Sequence, residues 1–153
     1  GKDSKVKSLI KKNYFDKQLN IKVDYEIMEF INDMAAAYQW ADVVICRSGA
    51  LTVSEIACVG KASILIPYPY AVDDHQTENA KYLTEQKAGY LLSQDKLTVD
   101  SLKEIIEQCS PEKIKHMSNK AKNLAKANAT EVVVENCLSW ITNTDSLVEV
   151  MNG

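Results

Sequence analysis

Asp42-Val43-Val44-Ile45-Cys46-Arg47-Ser48-Gly49-Ala50-Leu51-Thr52-Val53-Ser54-Glu55 is the stretch on which the fold turns. Asp42–Cys46 is a short apolar run and reads as a buried strand. It stops at Arg47-Ser48-Gly49, and the apolar-periodic stretch from Leu51 to Val59 reads as a helix. A strand, a small-residue turn and a helix together offer unpaired backbone N–H groups to an anion. Glu55 follows Thr52 by three residues and Leu51 by four, so it shares the side of the helix start. A carboxylate there repels any phosphate it touches but suits neutral hydroxyls, such as those of a ribose. A phosphate cradle with a hydroxyl acceptor one turn later matches a nucleoside diphosphate.

Outward from this stretch the pattern repeats. On the N-terminal side, Lys5, Val6, Leu9 and Ile10 have helical spacing, and Ile21–Ile27 alternates like a strand. Phe30-Ile31 leads to Asn32, read as the N-cap of a helix over Met34–Trp40. On the C-terminal side, Gly60 stops the helix and Ala62–Ile66 is a second buried strand, closed by Pro67 and Pro69. Ala71–Asp74 is a polar loop opening a helix from about His75 to Lys87, and Gly89–Leu92 is a short strand. Beyond it the chain reads as helical. One helix spans Leu97–Cys109, with Thr98 and Asp100 as capping candidates. The next starts at Pro111 and runs to about Ala127, and the last spans Ala129–Ile141. Strands alternating with helices predict an α/β fold, a parallel sheet with flanking helices. Ligands of such sheets bind outside the carboxyl ends of the strands. The loops Ile27–Asn32, Arg47–Leu51 and Pro67–His75 all leave such ends, so one crevice is expected to collect them.

Composition narrows the function. The chain has 153 residues, 46% hydrophobic and 25% charged, with a net charge of -3. This length predicts one domain. The acidic balance argues against bulk nucleic-acid binding. The lysines are concentrated early, at Lys2, Lys5, Lys7, Lys11, Lys12, Lys17 and Lys22. They read as a solvated helix face, with attraction to an anionic membrane surface as the lesser reading. Cys46, Cys58, Cys109 and Cys137 form no CxxC pair, as expected of free thiols in a reducing compartment. No signal peptide and no apolar run long enough to span a bilayer is found, so the chain reads as cytosolic.

Each candidate residue has a functional and a plainer reading. Arg47, the chain's single arginine, either pairs with a phosphate or locks the loop through a salt bridge to a nearby carboxylate. Ser48, Gly49, Ala50, Leu51 and Thr52 either donate N–H and hydroxyl groups to an anion or form an ordinary cap through Ser48 or Thr52. Asp73, Asp74, His75 and Gln76, with Asn79, can grip vicinal sugar hydroxyls. Alternatively Asp74 caps a helix and His75 is a solvated first-turn residue. The sequence names no partner for His75 as a catalytic base, so that role is not proposed, and two distant histidines give no metal site.

Three segments carry a family resemblance: Glu29–Met34; Ala41–Ile56, with its Cys46–Glu55 core; and Asp73–Gln76 with Asn79-Ala80. They resemble the MurG family of bacterial N-acetylglucosaminyltransferases (glycosyltransferase family 28). The likeness runs from about residue 20 to 142 with no large insertion. It implies the Rossmann-like C-terminal half of a two-domain GT-B glycosyltransferase. Residues 1–142 are then part of the nucleotide-sugar (donor) domain, all-helical over 97–142, and 143–153 are a loosely ordered tail. The family moves GlcNAc from UDP-GlcNAc to lipid I, making lipid II for peptidoglycan, with inversion at the anomeric carbon. Carried over, Phe30 and Ile31 contact uracil, and Ala50, Leu51 and Thr52 meet the diphosphate. Glu55 accepts from ribose hydroxyls, and His75 and Gln76 contact the GlcNAc. The resemblance implies no cofactor and no metal.

The departures are specific. The family's acceptor domain, with its candidate catalytic base, and the donor domain's Gly-Gly-Ser loop have no counterpart here, so no catalytic residue is assigned to this chain. The usual proline near Ala62 is missing, which should be tolerated. Binding of lipid I and peripheral attachment to the cytoplasmic face of the inner membrane would belong to the other half. The competing expectations are another GT-B enzyme, such as a UDP-GlcNAc 2-epimerase, and a non-catalytic UDP-sugar-binding or partner-docking module.

Overall fold

The structure, a computed structural model, describes residues 26–126, 128–129 and 131–139. The early lysine-rich helix, most of the strand expected over Ile21–Ile27, the end of the last helix and the tail from residue 143 lie outside these residues. The chain divides into two compact units, Gly1–Ala37 and Tyr38–Gly153.

In the first unit, residues 26–33 are irregular, so Glu26 and Ile27 are not strand as expected. Phe30 and Ile31 are exposed on this segment. Helix α1 then runs Met34–Trp40 and ends within the second unit. Its first turn is capped by Asp33, not Asn32: the Ala36 N–H donates to Asp33 Oδ1 at 2.9 Å. Either side chain suits a cap, so sequence alone leaves the position one residue uncertain.

The second unit holds the sheet. Strands β1 (Val43–Cys46), β2 (Ala62–Leu65) and β3 (Gly89–Leu91) lie side by side in that order, all parallel. Val43 pairs with Ala62, and Ser63 with Gly89. The central strand β2 is buried at every position, as a strand covered on both faces must be. Helices α2 (Ala50–Val59) and α3 (His75–Thr84) make the two crossovers. Val53, Ile56 and Ala57 of α2 and Ala80 and Leu83 of α3 meet Leu65 in one core, joined by Tyr38 and Ala121. The small residues let helix and sheet backbones approach closely.

Gly60 ends α2 in the left-handed conformation, φ 65°, its N–H returned to Ile56 and Ala57 carbonyls. A Cβ there would lie 3.0 Å from Lys122 Cβ, so the glycine also seats helix α5 (Pro111–Asn123). Helix α3 stops three residues short of the expected Lys87. Lys87 takes φ 58°, and Ala88 returns its N–H to Leu83, turning the chain into β3. Helix α4 (Val99–Glu107) is shorter than expected. Thr98 is its cap, in a reciprocal capping box with Ser101, while Asp100 sits in the first turn. Pro111 opens α5 as expected, behind a Ser110 cap. Residues 131–139 are helical. Among the described residues, no helix is long and apolar enough to cross a membrane.

Candidate functional site

The turn Arg47–Gly49 leaves the carboxyl end of β1 and feeds α2 directly. The α2 cap is Gly49, which has no side chain to close the helix, and neither Ser48 nor Thr52 replaces it. The first helical bond joins the Val53 N–H to the Gly49 carbonyl at 3.0 Å. The N–H groups of Ala50, Leu51 and Thr52 therefore lack a side-chain acceptor and face the crevice end of the sheet, carrying the positive end of the helix dipole. Ala50 and Leu51 are exposed, and Thr52 is half-buried.

Ser48 is fully buried and its hydroxyl is spent within the fold. It donates to the Gln76 carbonyl at 2.7 Å. In return, Asn79 Nδ2 donates to the Ser48 carbonyl at 3.1 Å. Two bonds thus brace the β1–α2 turn against the start of α3. Among the described residues Arg47 makes no ion pair; it takes the loop-locking role of its plainer reading through other acceptors. Its Nη1 donates to the carbonyls of Ile66 and Pro67, at 3.2 and 2.9 Å, and its guanidinium lies 5.6 Å from the centre of the Tyr68 ring. The arginine locks the turn after β1 to the segment after β2. The salt bridge expected as its plainer role is replaced by carbonyl acceptors, which satisfy a fork of donors equally well.

The segment after β2 is held just as specifically. Gln76 Oε1 accepts from the Tyr68 N–H at 3.0 Å, which fixes the amide so that Nε2 is the group left to donate. Asp73 and Asp74 both adopt φ 51°, a left-handed pair immediately before α3. Such a conformation costs about 1–2 kcal/mol per residue, and aspartate is among the few side chains that accept it. Asp74 Oδ1 accepts from Thr77 Oγ1 at 2.6 Å and caps no backbone N–H, contrary to its expected role as a cap. His75 is exposed at the first helical position. Within this unit the sequence-predicted residues of the two loops therefore adjoin one another. Phe30 and Ile31 belong to the first unit.

A groove of about 550 Å³ lies elsewhere, between α2, α3 and the segment carrying Leu124, Lys126 and Ala129; of the predicted residues it includes Ala50 and Asn79 alone. Among the described residues no cluster of three or more His, Cys, Asp or Glu side chains is placed to hold a metal.

Sequence reasoning missed Tyr38. Its ring is buried in the core, and its hydroxyl donates to Glu55 Oε2 at 3.0 Å. The signal was available: a buried tyrosine in an alanine-rich helix requires a partner for its hydroxyl. Burial first, then the bond to the Glu55 carboxylate, raises the hydroxyl from its ordinary 10.0 to about 12. Unfolding therefore releases a proton between those values, and stability falls as pH rises through that window. Tyr38→Phe should flatten this alkaline loss, by up to about 2–3 kcal/mol at the top of the window. Urea midpoints measured from pH 9 to 12 check it; parallel slopes for the two chains would refute it. Cys46, raised by burial to about 11, adds a separate alkaline loss common to both chains.

Parallel βα units with an uncapped helix start at the sheet's carboxyl edge define an α/β domain with an anion-accepting helix end, and the comparisons give its family. The chain belongs to the glycosyltransferase family 28 C-terminal domain family, whose pattern matches residues 1–115. It is 52% identical over 122 residues to the UDP-N-acetylglucosamine--N-acetylmuramyl-(pentapeptide) pyrophosphoryl-undecaprenol N-acetylglucosamine transferase of Shewanella denitrificans, covering 78% of this chain and 33% of that protein. The protein of the same name from Pseudoalteromonas atlantica is 48% identical over 125 residues, covering 80% of this chain and 33% of its own length. In three dimensions the chain is similar to the crystal structure of Acinetobacter baumannii MurG, with a TM-score of 0.69 and 42% identity over 72% of this chain and 32% of that one. The chain thus spans about a third of the length of the curated relatives it matches.

Proposed function

We propose that this chain is the donor-binding part of an N-acetylglucosaminyltransferase that uses UDP-GlcNAc to convert lipid I to lipid II in peptidoglycan synthesis. The observation that carries the reading is the uncapped start of α2 at the carboxyl edge of the sheet, with Glu55 one turn further on. The names of the relatives support the choice of sugar and acceptor. In this reading residues 1–142 belong to the donor domain. The N–H groups of Ala50, Leu51 and Thr52 hold the diphosphate, and Glu55 takes the ribose hydroxyls. His75 and the Nε2 of Gln76 read the GlcNAc, and Phe30 and Ile31 meet the uracil. Arg47, Ser48 and Asn79 hold the site's loops together beside the ligand.

The reaction is a direct displacement. The acceptor hydroxyl attacks the anomeric carbon, the bond to the UDP β-phosphate oxygen breaks, and configuration inverts. Charge then grows on the leaving diphosphate, where the α2 dipole and its N–H groups lower its energy. The base that takes the hydroxyl proton, and the surface that meets lipid I and the cytoplasmic face of the membrane, lie outside this chain. No metal or organic cofactor is required.

Calorimetric titration tests the donor reading. UDP should bind, UDP-GlcNAc should bind more tightly than UDP-glucose, and the 153-residue chain alone should transfer no GlcNAc to lipid I. Failure to bind UDP would overturn the proposal. Turnover by the chain alone would overturn the division of labour.

A further inference from the structure

We infer that Tyr38 is a positioning residue for nucleotide recognition: its hydroxyl, fixed by the core, holds the Glu55 carboxylate in the orientation that receives a vicinal diol. The inference rests on the ribose role proposed for Glu55. Glu55 itself is exposed on α2, and an exposed glutamate ordinarily samples many rotamers, all but one of which must be given up when a ligand binds. Tyr38 removes much of that freedom in advance. Its ring sits in the core cluster with Val53 and Ile56, 7% exposed, so its hydroxyl has little room to move. The hydroxyl donates to Oε2 at 3.0 Å, and among the described residues no donor is found for Oε1. One carboxylate oxygen is thereby anchored and the other is left to accept from a ligand. Preorganisation of this kind raises affinity without touching the ligand. With its pKa pushed up to about 12, the hydroxyl is protonated near neutral pH, so the anchor is in place where UDP binding is measured.

The test is UDP binding to the full chain, compared with binding of 2′,3′-dideoxy-UDP, which lacks the diol. Tyr38→Phe keeps the ring in the core and deletes the anchor alone. It should lower UDP affinity by about three- to tenfold, the range of one neutral donor's hydrogen bond, while leaving the dideoxy analogue unchanged. In a Glu55→Ala background the same substitution should change neither ligand. Equal loss for both ligands would make Tyr38 a packing residue only and overturn the inference. So would unchanged UDP affinity in Tyr38→Phe when Glu55→Ala alone weakens UDP; that result would leave the ribose role standing. If Glu55→Ala leaves UDP affinity unchanged, the ribose role fails and this inference with it.

Discussion

Gly89→Ala is expected to destabilise the chain by about 3 kcal/mol, a large part of the margin of an ordinary domain. Gly89 opens β3 and pairs with Ser63 of the central strand. A Cβ at residue 89 would stand 2.6 Å from Ser63 Oγ and 2.7 Å from the Ser63 carbonyl oxygen. The hydroxyl can rotate away; the carbonyl cannot, because it belongs to a strand buried on both faces. The substitution therefore forces β3 off β2 or bends the sheet, and α3, packed on β3, moves too. Ser63 supplies the internal control. Its hydroxyl is buried and has no hydrogen-bond partner among the described residues. Ser63→Ala should consequently be neutral or stabilising, by about 1 kcal/mol. In the double variant the hydroxyl clash is gone and the carbonyl clash remains, so stability should recover only in part. Urea denaturation of the four chains reads all three values. A Gly89→Ala midpoint equal to the parent's would show that the strands are not packed as described.

The fold was legible where period and punctuation agreed. Val43–Cys46 and Ala62–Leu65 are apolar runs stopped by a turn or a proline, and Gly60 marks a helix end that only a left-handed residue makes. The end of α3 was less legible, because the chain turns at Lys87, a lysine at positive φ that does not read as a terminator. Within the site, residue identity located the loops, but the direction of each bond was hidden. Arg47, Ser48 and Asn79 read as candidate binding groups because they are polar at a strand end, and the structure adds that they brace the loops. Their partners are carbonyls 19 to 31 residues away in sequence, which no local pattern displays. Tyr38 signalled that its hydroxyl needs a partner but not which one, since Glu55 is 17 residues on.

Glu55→Ala should lower UDP affinity by about ten- to a hundredfold, the value of hydrogen bonds to a charged acceptor at roughly 1.5–3 kcal/mol. A loss of that size also follows from damage to the fold, so its sign with a second ligand decides. Inorganic diphosphate has no ribose and offers Glu55 nothing but repulsion. The α2 N–H groups that receive it belong to Ala50, Leu51 and Thr52 and do not depend on the Glu55 side chain. Removing the carboxylate should accordingly leave diphosphate binding unchanged or strengthen it slightly, by a fraction of a kcal/mol through solvent. Tyr38 loses its acceptor in this variant, but its hydroxyl reaches the exposed edge where Glu55 stood, so water replaces the lost bond. UDP falling while diphosphate holds or rises is the signature of a diol acceptor. Both falling together would place Glu55 among the residues that shape the α2 start. Calorimetry with UDP, diphosphate and 2′,3′-dideoxy-UDP on the parent and the variant separates the two, since the dideoxy analogue should behave as diphosphate does and not as UDP does.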